Sequence, residues 1–358
     1  MNMVFRWYGE KNDTIPLEYI RQIPNVNGIV TALHHVPVGQ AWDLDEIMAV
    51  KKQVNDAGLT MEVIESVNIH EDIKLGAPSR DEYIENYIST IKNLSAAGVK
   101  CICYNFMPIF DWLRTDLAKP LDNGSTVMYY SRKIIDSIAD PLQMVDEMQK
   151  GSNGFLLPGW EPERLGEFGR LFEAYADFDE DKLYTNLKYF LDAIIPICEK
   201  YDVKMAIHPD DPPENVFGLP RIVNSKKNIK RLLELNSSVY NGLTLCTGSL
   251  GANPDNNIPE IASYFAKKQR IHFAHVRNIK FYENGDFGEV SHLSSDGSLD
   301  MYAIVKALYD AGFNGYARPD HGRMIWNEKG RPGYGLYDRA LGIAYLNGIL
   351  EAITKGSL

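Results

Sequence analysis

Between Lys204 and Arg323 the chain spells KMAIHPD (204–210), GLTLCTG (242–248), HFAHVRN (272–278) and GYARPDHGR (315–323). Each segment opens as a short run of strand length and reaches a residue able to bind a metal: His208, Cys246, His275 and Asp320. These positions lie 38, 29 and 45 residues apart, room for a strand and its return helix with some loop to spare. Successive parallel strands joined in this way open at the same end. The four side chains are therefore expected to point into one cup.

Working outward, four further runs precede them: MVFRWYG (3–9), GIVTAL (28–33), TMEVIES (60–66) and KCICYNF (100–106). The later four are read as strands over 204–209, 242–248, 271–277 and 315–320. Between the runs lie stretches such as DLDEIMAVKKQVNDAG (43–58), SRDEYIENYISTIKNLSAAG (79–98) and LDMYAIVKALYDAGFNG (299–315). Their apolar residues recur at three- and four-residue spacing, and a glycine ends each pattern. DKLYTNLKYFLDAIIPICEKY (181–201) and the closing LYDRALGIAYLNGILEAIT (336–354) read the same way. Eight strand–helix units predict a (β/α)8 TIM barrel, one domain over 1–358. A doubly wound sheet would want a glycine-rich dinucleotide loop after the first strand, and none is there. Two connections exceed a plain helix, about 107–180 and 279–298. Both leave C-terminal strand ends, where insertions build pocket walls, and the first is expected to be lid-like.

Bulk properties agree. With 358 residues, 45% hydrophobic and 24% charged, the chain can bury a large core without disulfides. Cys101, Cys103 and Cys198 show no framework spacing and read as packing residues, with Cys101 and Cys103 expected on opposite faces of their strand. An intracellular, cytoplasmic location follows as an expectation. A net charge of −11 argues against nucleic acid as the main partner. No run of 18 apolar residues exists to span a membrane. MNMVFRWYGE lacks a basic segment followed by an apolar run, so no signal peptide is expected. A homodimer is the expected assembly.

The donors carry the chemistry. Two imidazoles, a thiolate and a carboxylate suit Mn2+, Fe2+, Co2+ or Zn2+ better than Mg2+ or Ca2+. Four ligands leave open positions on Mn2+ or Fe2+ but would close a tetrahedral zinc. In strand seven, His272 and His275 are three apart and face opposite sides; His275, nearer the C-terminal end, is the ligand choice. His321 follows Asp320 and can turn over the cup as an acid or base. Arg323 could clamp a carboxylate. Tyr334, between two glycines, can reach inward, whereas Tyr337 reads as packing. Arg6, Trp7 and Asn105 near strand ends are candidate substrate contacts, and His34, His35 and His70 are weaker ones. Asp210–Asp211 could orient a ligand imidazole or cap a turn. TGSLGAN (247–253) lacks the lysine of a phosphate loop.

Together FRWYG, TALHHVPVGQAW, CYNFMPIFDWLRTDL, AIHPDDPPENVFGLPRI, LCTGSLGANPDNN, HFAHVRN, SSDGSLDM and RPDHGR resemble the mannonate dehydratase family, related to the xylose-isomerase-like barrels. The resemblance covers the whole chain. It implies one Mn2+ or Fe2+ on His208, Cys246, His275 and Asp320, and an acid–base pair falling on His321 and Tyr334. It implies loss of water from D-mannonate to give 2-keto-3-deoxy-D-gluconate in hexuronate (glucuronate) catabolism. A metal-dependent sugar isomerase or epimerase on the same barrel is the alternative, separable because it releases no water. A repair endonuclease would want more ligands and a basic face, and a binding protein would return its sugar acid unchanged.

Overall fold

In a computed structural model of the chain, residues 1–155, 157, 159–160 and 166–356 are described. Eight parallel strands close into a barrel: β1 (Asn2–Arg6), β2 (Gly28–Thr31), β3 (Thr60–Glu65), β4 (Cys101–Tyr104), β7 (Lys204–Ile207), β8 (Asn241–Cys246), β9 (Ile271–His275) and β12 (Tyr316–Arg318). All eight coincide with runs read from sequence, and the TIM barrel is as expected. Helices return between them, including Leu44–Asp56, Arg80–Ala96, Glu180–Tyr201 and Met301–Asp310. Their starts are chemically marked: Asp43 accepts from the Asp45 N–H, Asp179 from Lys182 and Asp300 from Ala303, satisfying donors that the helix leaves open. Their ends are marked as well. Gly98 and Gly312 take φ of 80° and 73°, and the next residues donate back to Leu94 and Leu308, a left-handed cap that glycine adopts without strain.

The core has three parts. The largest lies between barrel and helices. Val4, Val30, Val63, Cys101, Cys103, Ala206 and Phe273 fill the barrel interior. Cys101 and Cys103 thus both face inward, correcting the expectation of opposite faces: residues two apart on a strand share a face. Cys198 is buried in the outer core, and all four cysteines are free.

The two long connections build one antiparallel sheet, which the sequence did not show. β5 (Asp116–Pro120) and β6 (Thr126–Tyr130) come from the first, and β10 (Ile279–Phe281) and β11 (Phe287–Glu289) from the second. They run in the order β10-β11-β6-β5, with Phe287 opposite Tyr130. A separate apolar cluster including Phe110, Leu113, Tyr130, Trp160, Phe168 and Phe287 supports this layer. Residues 156, 158 and 161–165 of the 107–180 region fall outside the described residues. No helix among the described residues is long and apolar enough to cross a membrane.

Candidate active site

Register sets the floor of the site. Cys246 is level with His275 across β8–β9, and His275 with Arg318 across β9–β12. Alternation turns Arg6, Glu65, His208, Cys246, His275, Arg318 and Asp320 to the inner side, above the interior layer. His208 Nε2 lies 3.2 Å from His275 Nδ1. These two side chains and Cys246 offer donor atoms all within 4.8 Å of one another. Asp320 adds Oδ2 at 3.7 Å from Cys246 Sγ and Oδ1 at 3.8 Å from His275 Nδ1. Around a divalent ion with bonds of about 2.0–2.3 Å, donors stand roughly 3–4 Å apart, so His208, Cys246 and His275 form a candidate metal group, with Asp320 beside it. Asp320 holds φ at 59°, a left-handed conformation costly for a residue with a side chain.

The surroundings prepare this donor set. The His208 Nδ1 corner meets its neighbour's carbonyl, Pro209 O, at 2.7 Å. Asp320 is clamped by Arg277 Nε on Oδ2 and Arg318 Nη1 on Oδ1, each at 2.8 Å. Burial alone would raise the Cys246 thiol. Arg277, helped by His208 and His275, outweighs burial and holds it well below its ordinary value, which favours the thiolate that binds metals. Burial likewise opposes charge on His208, but Cys246, Glu65 and Asp320 push it up to about 9.

Beside the donors sit His321 and Tyr334, ring centroids 5.4 Å apart. His321 places Nε2 3.5 Å from Asp320 Oδ2 and Nδ1 3.4 Å from Glu289 Oε1. Burial keeps its imidazole well below the ordinary value, against the pull of Asp320. Burial, then Tyr8 and Asp320, pushes the Tyr334 phenol well above its own. At working pH the pair therefore pairs a neutral imidazole with a protonated phenol. Behind His321 lies a buried charge lattice. Arg114 grips both oxygens of Asp211 at 2.6 and 2.9 Å, and Arg277 reaches Asp211 and both Glu289 oxygens at 2.8–2.9 Å. Burial pushes Glu289 up to about 7 despite these arginines.

His208, Asp320 and His321 open into one cavity of about 720 Å3, mouth included, which Arg6, Tyr8, Glu65, Asn105, Arg331 and Tyr334 also line, while Cys246, His275 and Glu289 stay buried outside its lining. Arg6 and Arg331 each keep guanidinium nitrogens with no hydrogen-bond partner, and both stack on Tyr8.

Arg6, Asn105, His321 and Tyr334 thus reach the cavity, but two candidates do not. Trp7 alternates to the other face of β1, is buried in the outer core and donates to Ile15 O. Arg323 turns away and pairs with Asp338. His34, His35 and His70 also miss the cavity: His34 stacks on Tyr8, His35 meets Glu46 and His70 caps a helix at Asp72. Asp210 and Asp211 do not orient His208. Asp210 accepts from the Val223 N–H and Asp211 joins the arginine lattice. Gly248 of TGSLGAN makes room for the Arg277 guanidinium, which a Cβ there would meet at 2.3 Å. Tyr337 is 43% exposed, against Trp326, leaving Tyr334 as the inward phenol. Reading the strands missed Glu65, Arg277 and Arg318, though their alternation with the chosen ligands was visible. Arg114 and Glu289 carried no signal, because they sit in the irregular insertions.

A closed barrel with a thiolate, two imidazoles and a carboxylate gathered at its C-terminal mouth places the chain among TIM-barrel proteins with a candidate metal centre. The profile of the D-mannonate dehydratase (UxuA) family matches residues 1–357, and the chain belongs to that family of hydro-lyases. It is 59% identical over 355 residues to the mannonate dehydratase of Thermotoga neapolitana, covering 99% of this chain and 98% of that one. The crystal structure of mannonate dehydratase from Streptococcus suis serotype 2 superposes with a TM-score of 0.90 at 45% identity, covering 100% and 96% of the two chains. A D-tagatose 3-epimerase-like protein, at 10% identity, TM-score 0.55 and full coverage of both chains, shares the barrel fold alone.

Proposed function

We propose that this chain removes water from D-mannonate to give 2-keto-3-deoxy-D-gluconate, a step of hexuronate (glucuronate) catabolism. The observation that carries the reading is convergence: His208, Asp320, His321 and Tyr334 open into one cavity, next to the fully buried Cys246 and His275. The open Nε and Nη1 of Arg331 and the open Nε of Arg6, whose Nη1 stands 3.4 Å from Glu65, suit an acidic substrate, because a buried guanidinium with open donors gains most from an anion.

The proton at C2 lies next to a carboxylate and is weakly acidic, and the 3-hydroxyl leaves poorly as hydroxide. A Mn2+ or Fe2+ ion held by His208, Cys246, His275 and Asp320 would supply Lewis-acid stabilisation of the charge that develops as the C2 proton departs. His321, neutral, takes that proton; Tyr334, protonated, gives its own to the 3-hydroxyl as the C3–O bond breaks and water leaves. The resulting enol becomes the ketone when His321 returns its proton to C3 and the C2 hydroxyl proton restores Tyr334. Arg6 and Asn105 contact substrate, and the 107–180 region acts as a lid over the cavity. A cytoplasmic homodimer is the assembly proposed.

Incubating chelator-stripped protein with D-mannonate, with and without Mn2+, tests the reading. It predicts a 2-keto-3-deoxy acid only with metal. Interconversion of aldose and ketose without loss of water would support the isomerase alternative instead.

A further inference from the structure

His208 and His275 face each other through Nε2 and Nδ1, so each must keep its remaining nitrogen protonated to present a lone pair to a metal. For His208 the nearby acceptor is Pro209 O. For His275 it is a side chain that none of the sequence candidates included. Its Nε2 lies 3.3 Å from Glu65 Oε2, and each of these buried atoms lacks any partner in hydrogen-bonding geometry, so each is the other's nearest means of satisfaction. We propose that Glu65 is the positioning residue of His275: its carboxylate accepts the Nε2 proton and thereby fixes Nδ1 as the metal donor.

The carboxylate is held for that task. Arg318 donates Nη2 to Glu65 Oε1 at 2.9 Å, and Arg6 Nη1 stands 3.4 Å from Oε2. The same Arg318 also forms an ion pair with Asp320, Nη1 2.8 Å from Oδ1. One guanidinium therefore spans a proposed ligand and the residue behind another. Phe273 packs edge-on against the His275 ring, centroids 4.5 Å apart, so the imidazole cannot easily rotate to exchange its nitrogens. A negative acceptor also makes Nδ1 a stronger donor than a carbonyl would.

Glu65, Cys103 and His275 could themselves be taken for a second metal set, since their donor atoms lie within 4.8 Å of one another. Two features assign a proton there instead. Arg6 and Arg318 already balance the Glu65 charge, and Cys103 Sγ accepts from Thr244 Oγ1 at 3.2 Å.

This inference rests on the four-residue metal reading, and one titration separates the two. Co2+ is added to the chelator-stripped protein while the cobalt–thiolate absorption is followed, in the native chain and in Glu65→Gln and Glu65→Asp. The native chain is expected to bind one ion with a thiolate band that Cys246→Ser abolishes. Glu65→Gln should bind about 10- to 100-fold more weakly with a shifted ligand-field spectrum, and Glu65→Asp should recover part of the loss. Native affinity and spectrum in Glu65→Gln would overturn the role of Glu65 while leaving the metal reading intact. A second cobalt ion lost in Cys103→Ser would also overturn it, by putting a cation where the proton belongs. No Cys246-dependent band in the native chain would overturn both. Should Glu65→Gln fail to fold, nitrogen-15 spectra of the zinc-loaded native chain decide: the proton on His275 Nε2 supports the role, and its presence on Nδ1 refutes it.

Discussion

Asp320 shows how much of the site alternation alone could reveal. Its place at the end of an inward-facing row was legible, as it was for His208, Cys246 and His275, because a strand gives every second side chain to one face. The same rule separates Arg6, which lines the cavity, from Trp7, which does not. What alternation could not supply is partnership: that Asp320 is clamped by Arg277 and Arg318, or that Arg323 is spent on Asp338. The proposed acid–base division gives a first expectation. His321→Ala and Tyr334→Phe should each lower kcat by about 10²- to 10⁴-fold while metal content stays native, as metal analysis beside steady-state kinetics would show. His208 gives a second. In the metal-free protein it is pushed up to about 9, so below that pH a proton competes for the metal-facing nitrogen. Apparent Mn2+ affinity should therefore climb as pH rises toward 9 and level off beyond it. Binding isotherms that do not change with pH would contradict this.

The inserted sheet is where sequence reading stopped short. Both insertions were legible as too long for a return helix, but their pairing was not. Tyr130 and Phe287 meet across a separation that no local pattern reports, and β10 and β11 have three residues each, too few for a period to show. Yet β11 supplies Glu289, which stands behind His321 and ties Arg114 and Arg277 to the barrel. Breaking one partner of a buried ion network leaves charge uncompensated, at a cost of about 3–5 kcal/mol. Arg114→Met, which strips Asp211 and Glu289 of a partner, should lower the urea midpoint accordingly. It should also reduce turnover, because Arg277 then answers to fewer fixed neighbours. A stability change within about 0.5 kcal/mol would show that the lattice is not what anchors the sheet.

The barrel itself was the most legible part, since eight runs, their spacing and their helix-ending glycines all agreed on one architecture. The chain carries a net charge of −11 yet concentrates five arginines, Arg6, Arg114, Arg277, Arg318 and Arg331, around one cavity, which composition could not reveal. A metal bound only by the folded state must stabilise it. Excess Mn2+ at about 100 times its Kd should add about 2.7 kcal/mol, raising the unfolding temperature of the native chain but not of Cys246→Ser. The most direct test of the central claim joins metal to chemistry: stripped protein is titrated with Mn2+ while 2-keto-3-deoxygluconate formed from D-mannonate is measured. The account predicts product that rises in proportion to metal, breaks at one ion per chain and disappears in Cys246→Ser. Product formed at full rate without metal, or by Cys246→Ser at the native rate, would contradict it.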